Sequence, residues 1–479
     1  MSQLRLRDWQ AIVRLLADIG QGFGVFMLLA GLLALLTGDG PGTVSFLGLG
    51  LPVALASRYV RRRQVEGKAT SRHAVLALAL AWPALSLLSL IPFVASGGMR
   101  WIDAAYESFS AWTDTGLTMI RDPSTLPVAL GVFRIVIQWF SGLGIVMFML
   151  SLRTSSAQDA YSLFQAEGRP ETFSTDLWVI GRTVVRIYCA YTLLGFVALW
   201  AAGLPPLTAL AHAITSLSTG GFSTNSVGVG IYGPVPTLIA MGLMLAGGIS
   251  FASHRNLIAG QWAKFWRDPE VRLLLALIVV ASGLVAGQAV LAGFHGLGPL
   301  NSLFYVVTAV TTCGAGTIPA LSDVPATIQF TLLLLMVSGA AFGSTTGALK
   351  LWRLIVVGQV VAREVRRPLY PERTVLPLKV RGLTLSDSAA VTVLGYVSLY
   401  LALGVFGSLI FALFGYTPLE SLFLVFSAQG NVGLNALPDA RYFDMPVLLK
   451  AQLILHMLLG RVEILPFLSL LYNLRGQPK

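Results

Sequence analysis

Long apolar runs, separated by short polar or basic segments, recur along the whole chain. Ten of them are long enough to cross about 30 Å of hydrocarbon as helices, which takes roughly 20 residues. They cover 17–37, 43–59, 72–96, 127–152, 176–203, 232–254, 272–294, 326–355, 386–415 and 445–473. Between the members of each of the last four pairs lies a moderately apolar segment too short to cross. These segments read WIDAAYESFSAWTDTGLTMI from Trp101, PPLTALAHAITSLSTGGFST from Pro205, GPLNSLFYVVTAVTTCGAGT from Gly298 and YTPLESLFLVFSAQGNVGLN from Tyr416. In each, a stretch with helical apolar periodicity runs into a short tail of Ser, Thr, Gly and Asn. The tails centre on Gly116, Gly220, Gly314 and Gly433, spaced 104, 94 and 119 residues apart, which makes them an internal repeat.

The expected fold is therefore an all-α polytopic membrane protein. Four pseudo-repeated helix–pore-loop–helix modules surround one central pore, and two extra transmembrane helices precede them. The segmentation is 1–70 for the N-terminal pair, then modules at 71–168, 169–262, 263–383 and 384–479.

Composition agrees with membrane residence. Of the 479 residues 55% are hydrophobic and 11% charged, against about 25% charged in a soluble domain. Placement of the basic residues decides what the net charge of +11 means. They cluster at 58–72, 255–272 and 350–381, whereas the intervening segments 97–125, 204–232, 294–325 and 416–446 hold only Arg100, Arg121 and Arg441. That asymmetry orients a membrane protein with both termini cytoplasmic and argues against a nucleic-acid partner. The N-terminal segment, with Asp18 leading into a long span, reads as retained. Cys189 and Cys313 lie in different apolar neighbourhoods and suggest no disulfide. Five histidines without metal-ligand spacing, and no nucleophile–base constellation, speak against an enzyme.

The tails carry the functional argument. Irregular backbone at membrane depth is tolerated where it is buried in protein or lines a watery cavity. The C-terminal end of a half-crossing helix carries about half a unit of negative charge, so four such ends aimed at one axis favour a cation. Glycines then let carbonyl oxygens replace the ion's hydration shell. A lone TGGF, as at 219–222, is more often an ordinary turn; four such tails in the same context point to a selectivity filter.

Two further features stand out. The run 338–350, SGAAFGSTTGALK, interrupts a span with small and hydroxylated residues. It reads either as close helix packing or as a break into a loop. Arg461 lies too deep in the last helix for an interfacial anchor, and a charge there is functional by default, although a salt bridge to another helix is the structural alternative. Glu463, two positions on, does not share its helix face and its partner is open. Asp114 and Glu107 are read as loop carboxylates, either solvated or concentrating cations at the outer mouth.

Together these motifs resemble the Trk/Ktr-type potassium-transporter family, in the branch with an extra N-terminal helix pair. TDTGLT (113–118) pairs with QWFSGLGI (138–145) and LFQAE (163–167), and STGGFST (218–224) with GGISFASH (247–254). VTTCGAGT (310–317) pairs with SGAAFGSTTGALK (338–350), and AQGNVGLN (428–435) with MLLGRVEIL (457–465). The similarity runs from about residue 70 to the end.

The resemblance implies potassium uptake across the bacterial inner membrane. The filter would consist of Thr115, Gly116 and Leu117; Thr219, Gly220 and Gly221; Cys313, Gly314 and Ala315; and Asn431, Val432 and Gly433. Potassium would sit at Thr115, Gly116, Thr219, Gly220, Cys313, Gly314, Val432 and Gly433. Gly339, Gly343, Ser344, Thr345 and Gly347 would form a gating loop, with Arg461 as a positive charge below the filter. The family further implies a homodimer on a ring of cytoplasmic nucleotide-binding subunits. No covalent cofactor is implied, and nucleotide would enter only through that partner.

Asp114, Cys313 and Ala315 depart from the family pattern, which leaves potassium-versus-sodium selectivity open. A secondary transporter with broken helices is the nearest rival, but it normally shows two inverted repeats rather than four of one hand.

Overall fold

The computed structural model describes residues 6–63, 71–154, 177–318, 321–371, 374, 376–380 and 383–464. Helices α1 (Leu6–Leu36) and α2 (Gly40–Arg63) form a hairpin turned at Asp39, whose carboxylate accepts from the Gly42 amide at 2.8 Å. Their backbones approach closely because Gly24 faces Ala54 and Gly50 faces Met27. The hairpin packs on the first repeat through α3 and α5.

Four modules follow, each with a short central helix between two flanking ones. The first has α3 (Ser71–Ala95), α4 (Trp101–Trp112) and α5 (Val128–Thr154). The second has α6 (Leu177–Ala201), α7 (Pro206–Ser218), α8 (Pro234–Gly248) and α9 (Phe251–Ile258). After the short α10 (Trp262–Arg267), the third comprises α11 (Pro269–Leu291), α12 (Pro299–Val310), α13 (Ala326–Ser338) and α14 (Leu351–Arg366). The fourth comprises α15 (Asp387–Leu413), α16 (Pro418–Gln429), the short α17 (Asp439–Phe443) and α18 (Val447–Val462). Strands β1 (Leu378–Val380) and β2 (Leu383–Leu385) form a small antiparallel ladder between α14 and α15.

The central helices α4, α7, α12 and α16 have 12 or 13 residues, so each rises about 18–20 Å and stops short of a crossing. Proline at the first position opens three of them, and in α16 a Thr417–Glu420 capping box fixes the start. Their C-terminal halves are buried almost all round, so the apolar residues in them are core.

Each central helix packs on its own flanking helices and on the second flanking helix of the module before it: α5 on α7, α8 on α12, α13 on α16, and α18 back on α4. The four modules thus close into a ring.

Seven described helices are long and apolar enough to cross a membrane. Two of the expected spans are broken, one of them at the interruption 338–350 that the sequence shows. The segment expected at 232–254 splits into α8 and α9, bent by 106°. The segment expected at 326–355 ends as helix at Ser338 and resumes at Leu351. The two breaks satisfy each other: Ala341 and Thr345 amides donate to the Gly248 and Gly247 carbonyls at 3.0 and 3.1 Å, and the Phe251 amide donates to Gly343 at 3.1 Å. Backbone freed in one element is paired by the other, which is the condition for irregular chain at this depth.

Candidate cation pathway

The four tails share one conformation. At the end of each central helix the backbone turns so that an amide reaches back five residues to a hydroxyl-bearing residue's carbonyl. Thr115 donates to Ser110, Gly220 to Thr215, Cys313 to Thr308, and Val432 to Ser427, all at 2.8–2.9 Å. The residue before each of these is left-handed: Asp114 (φ 57°), Thr219 (61°), Thr312 (53°) and Asn431 (50°). The residue after each is a glycine with positive φ: Gly116 (85°), Gly221 (71°), Gly314 (73°) and Gly433 (96°).

This geometry corrects the register read from sequence. The second-tail counterpart of Gly116, Gly314 and Gly433 is Gly221, so the true spacings are 105, 93 and 119 residues. Gly220 matches Thr115, Cys313 and Val432. Thr219 and Asn431 match Asp114 and Thr312, while Leu117 and Ala315 match Phe222 and Leu434.

The tails also touch in cyclic order. A Cβ on Gly116 would strike the Gly220 carbonyl oxygen, and one on Gly221 the Cys313 carbonyl. One on Gly314 would strike the Val432 carbonyl, and one on Gly433 the Thr115 carbonyl. One carbonyl from every tail therefore lies against the glycine of a neighbour, with no room for a side chain. Among the described residues no backbone amide donates to these four carbonyls. The Gly220 carbonyl does accept from the Gln138 amide at 2.5 Å, and Gln138 Oε1 accepts from Phe222 N at 3.2 Å.

Beneath the ring lies residues 339–350, which are buried nearly throughout. Gly339 and Gly343, with φ of 64° and 77°, turn the chain out of α13. Thr345 meets the Thr219 hydroxyl at 3.1 Å and the Leu217 carbonyl at 3.3 Å. The Gly347 amide donates to the Thr312 hydroxyl at 3.0 Å, and its Cα abuts the Gly430 carbonyl. Ser344 bonds within the loop, to Thr346 at 2.7 Å. The loop thus touches the inner ends of the second, third and fourth tails.

Arg461 completes this floor on the side of the first. It is 1% exposed, and its guanidinium donates to the Thr345 carbonyl at 3.2 Å, to Ser141 Oγ at 3.0 Å and to Asp114 Oδ2 at 3.3 Å. Neither Asp114 nor Glu107 is a carboxylate of the outer mouth or a solvated one: they are 1% and 0% exposed. Glu107 pairs with Arg134 of α5 at 2.5 Å, and that guanidinium stacks 3.4 Å from the Phe222 ring centre and donates to the Ser223 carbonyl at 3.2 Å. Glu463 pairs with Arg353, which also lies over Tyr396. The floor loop is further held where the Phe342 amide donates to Glu270 at 2.9 Å.

The sequence alone assigns no individual role to Gln138, Arg134 or Ser141. A lone arginine in a span is the available signal for Arg134; Gln138 and Ser141 lie in the QWFSGLGI motif, which marks the segment but not the contacts of either residue. The 163–167 motif lies outside the described residues.

All seven non-glycine residues with positive φ among the described residues fall in this assembly: the four that stand two positions before the ring glycines, Ala348 and Lys350 in the floor loop, and Glu463 after α18. Strain of this kind costs about 1–3 kcal/mol per residue and concentrates at functional sites.

Over residues 53–475 the sequence matches the family model of TrkH, the cation transport proteins. The chain belongs to the TrkH family. It is 29% identical to an uncharacterized cation transporter of Methanocaldococcus jannaschii, over 98% of this chain and 97% of the relative. It is 30% identical to the Trk system potassium uptake protein TrkH of Vibrio parahaemolyticus, over 97% and 98%. The crystal structure of the potassium transporter TrkH from that organism superposes with a TM-score of 0.84 at 28% identity, covering 97% of this chain and 98% of the other. As a TrkH-family member this chain is a multi-pass membrane protein of cation transport, with four modules around one pore.

Proposed function

We propose that this protein takes up potassium through a selectivity filter formed by the four tails, with residues 339–350 and Arg461 as a gate beneath it. The observation that carries the reading is the closed ring, in which the carbonyls of Thr115, Gly220, Cys313 and Val432 each lie against a glycine of a neighbouring tail. Amides at this level turn back to the central helices, whose C-terminal dipoles converge on the ring. Ring carbonyls to which no backbone amide donates are the ligands that replace a cation's hydration shell, and here the Gly220 carbonyl also accepts from the Gln138 side chain. Relatives named as potassium uptake proteins support potassium as the cargo.

In this reading both termini are cytoplasmic, because the arginine-rich end of α2 and the basic stretch of α14 lie on one side of the spans. The membrane is the bacterial inner membrane. A homodimer on a nucleotide-binding cytoplasmic ring is the expected assembly, by resemblance to the Trk systems.

The test is rubidium and sodium uptake by purified protein in liposomes, alongside rescue of a potassium-uptake-deficient bacterium on low potassium. Rubidium uptake at least tenfold above sodium, lost in Gly433→Ala, is expected. Full uptake by Gly433→Ala would remove the filter, and equal sodium uptake would favour a sodium-permeable pathway.

A further inference from the structure

At four equivalent positions the residue before the ring carbonyl is left-handed and buried, yet its side chains do different things. Thr219 and Thr312 tether the floor loop through their hydroxyls. Asn431 donates to the Met457 carbonyl at 2.8 Å and to Thr115 Oγ1 at 3.0 Å. Asp114 alone brings a charge, and it meets Arg461.

We propose that Asp114 is a positioning residue for cation passage: it neutralises Arg461 and holds it against the floor loop, so the inner end of the pathway is governed by an ion pair. This rests on the filter reading above.

The geometry supports it from both sides. Asp114 Oδ2 faces Arg461 Nη2, and Oδ1 accepts from Ser218 Oγ at 3.3 Å, so both carboxylate oxygens are engaged. Arg461 spends Nη1 on the Thr345 carbonyl and Nη2 on Asp114 and Ser141, while its Nε has no hydrogen-bond partner. Asp114 is the only carboxylate in salt-bridge contact with Arg461 among the described residues, since Glu463 is taken by Arg353. A bare guanidinium at that place would repel every approaching cation, and a bare carboxylate would bind divalent cations tightly. The pair avoids both states while tying the first tail to the loop that the second and third tails hold by hydroxyls.

The experiment compares wild type, Asp114→Asn, Arg461→Gln and the double variant in liposomes, normalised to monodisperse protein. Rubidium uptake and its inhibition by barium are measured. Asp114→Asn is expected to lower rubidium uptake at least tenfold, and adding Arg461→Gln to return it to within threefold of wild type. Arg461→Gln alone is expected to lower the barium concentration for half-inhibition at least tenfold, an effect that Asp114→Asn abolishes. A packing role for Asp114 predicts neither rescue nor a barium shift.

A double variant no better than Asp114→Asn overturns the proposal. So does a barium response in Arg461→Gln within twofold of wild type, and that arm needs no Asp114→Asn protein to fold. Retained uptake in Gly433→Ala counts against the filter itself, whereas an inactive Gly433→Ala beside a fully active Asp114→Asn removes only the role of Asp114.

Discussion

The ring and the floor of the pathway are built from the same four modules, but only the ring is fourfold. Every tail repeats one amide-to-helix bond, one left-handed residue and one positive-φ glycine. Below it the repeats diverge. The second module contributes a 106° bend, the third a loop of twelve residues, the fourth Arg461, and the first an unbroken α5 carrying Ser141. If the ring is the proposed filter, an ion on its axis draws ligands from all four tails, so drift in one module would disturb the whole ring. If the floor is the proposed gate, one movable element suffices for it, and the other modules can serve as its anchors.

The sharpest break of this comparison is alanine at each ring glycine in turn. A left-handed non-glycine residue costs about 1–2 kcal/mol, and here the new methyl also meets a neighbouring carbonyl. Gly116→Ala, Gly221→Ala, Gly314→Ala and Gly433→Ala should each lower rubidium uptake at least tenfold, and by similar amounts. Gly220→Ala should be milder than Gly221→Ala. Its Cβ would press on the side chains of Asp114 and Gln138 rather than on backbone, and its φ is not positive. The reverse ranking would restore the register read from sequence.

That register error shows what the chain's sequence makes visible. Four short helices ending in glycine-bearing tails, and the interruption at 338–350, are patterns of apolarity and small residues, and both are legible. STGGFST offers two adjacent glycines, and only the backbone angle decides which one takes the ring position. Side-chain partners three modules apart are less legible still. Asp114 lies 347 positions from Arg461, and no local pattern links them. Nor does any pattern announce that α8 must break where the floor loop needs its carbonyls.

A second, smaller effect concerns the outer scaffold. The Glu107–Arg134 pair is fully buried and supports Phe222 in the second tail. Breaking such a pair by removing one charge costs roughly 3–5 kcal/mol. Glu107→Gln should therefore lower the unfolding temperature in detergent by several degrees. It should also reduce uptake less than any ring alanine, because the tail loses a support rather than a ligand. A Glu107→Gln protein as stable as wild type would mean that the second tail is held without the pair, by Gln138 and by the contacts of Ser218 and Thr219.

Loosening the floor should act in the opposite direction. Thr219→Val removes one tether of Thr345, and Thr312→Val the acceptor of the Gly347 amide. A hydrogen bond of this kind contributes about 1 kcal/mol, equivalent to about a fivefold change in an equilibrium. If the loop obstructs passage, either substitution raises rubidium uptake by up to about fivefold, and the two together by more. Lower uptake in both would make the loop part of the ring's support rather than a barrier under it.

The smallest effect is expected at Cys313, although it is among the residues that leave selectivity open in the sequence. Its carbonyl lies in the ring against Gly221, while its thiol points away and lies 3.7 Å from the Thr215 carbonyl. A backbone ligand does not change with the side chain, provided the volume behind it is kept. Serine nearly matches cysteine in size, and its hydroxyl has the same carbonyl to donate to. Cys313→Ser should therefore leave the rubidium-to-sodium uptake ratio within twofold of wild type, and uptake itself close to unchanged. A larger change in the ratio would mean that the shell behind the ring tunes its ligands. The distinction between a symmetric ring and its asymmetric surroundings would then fail at the place where the two are in closest contact.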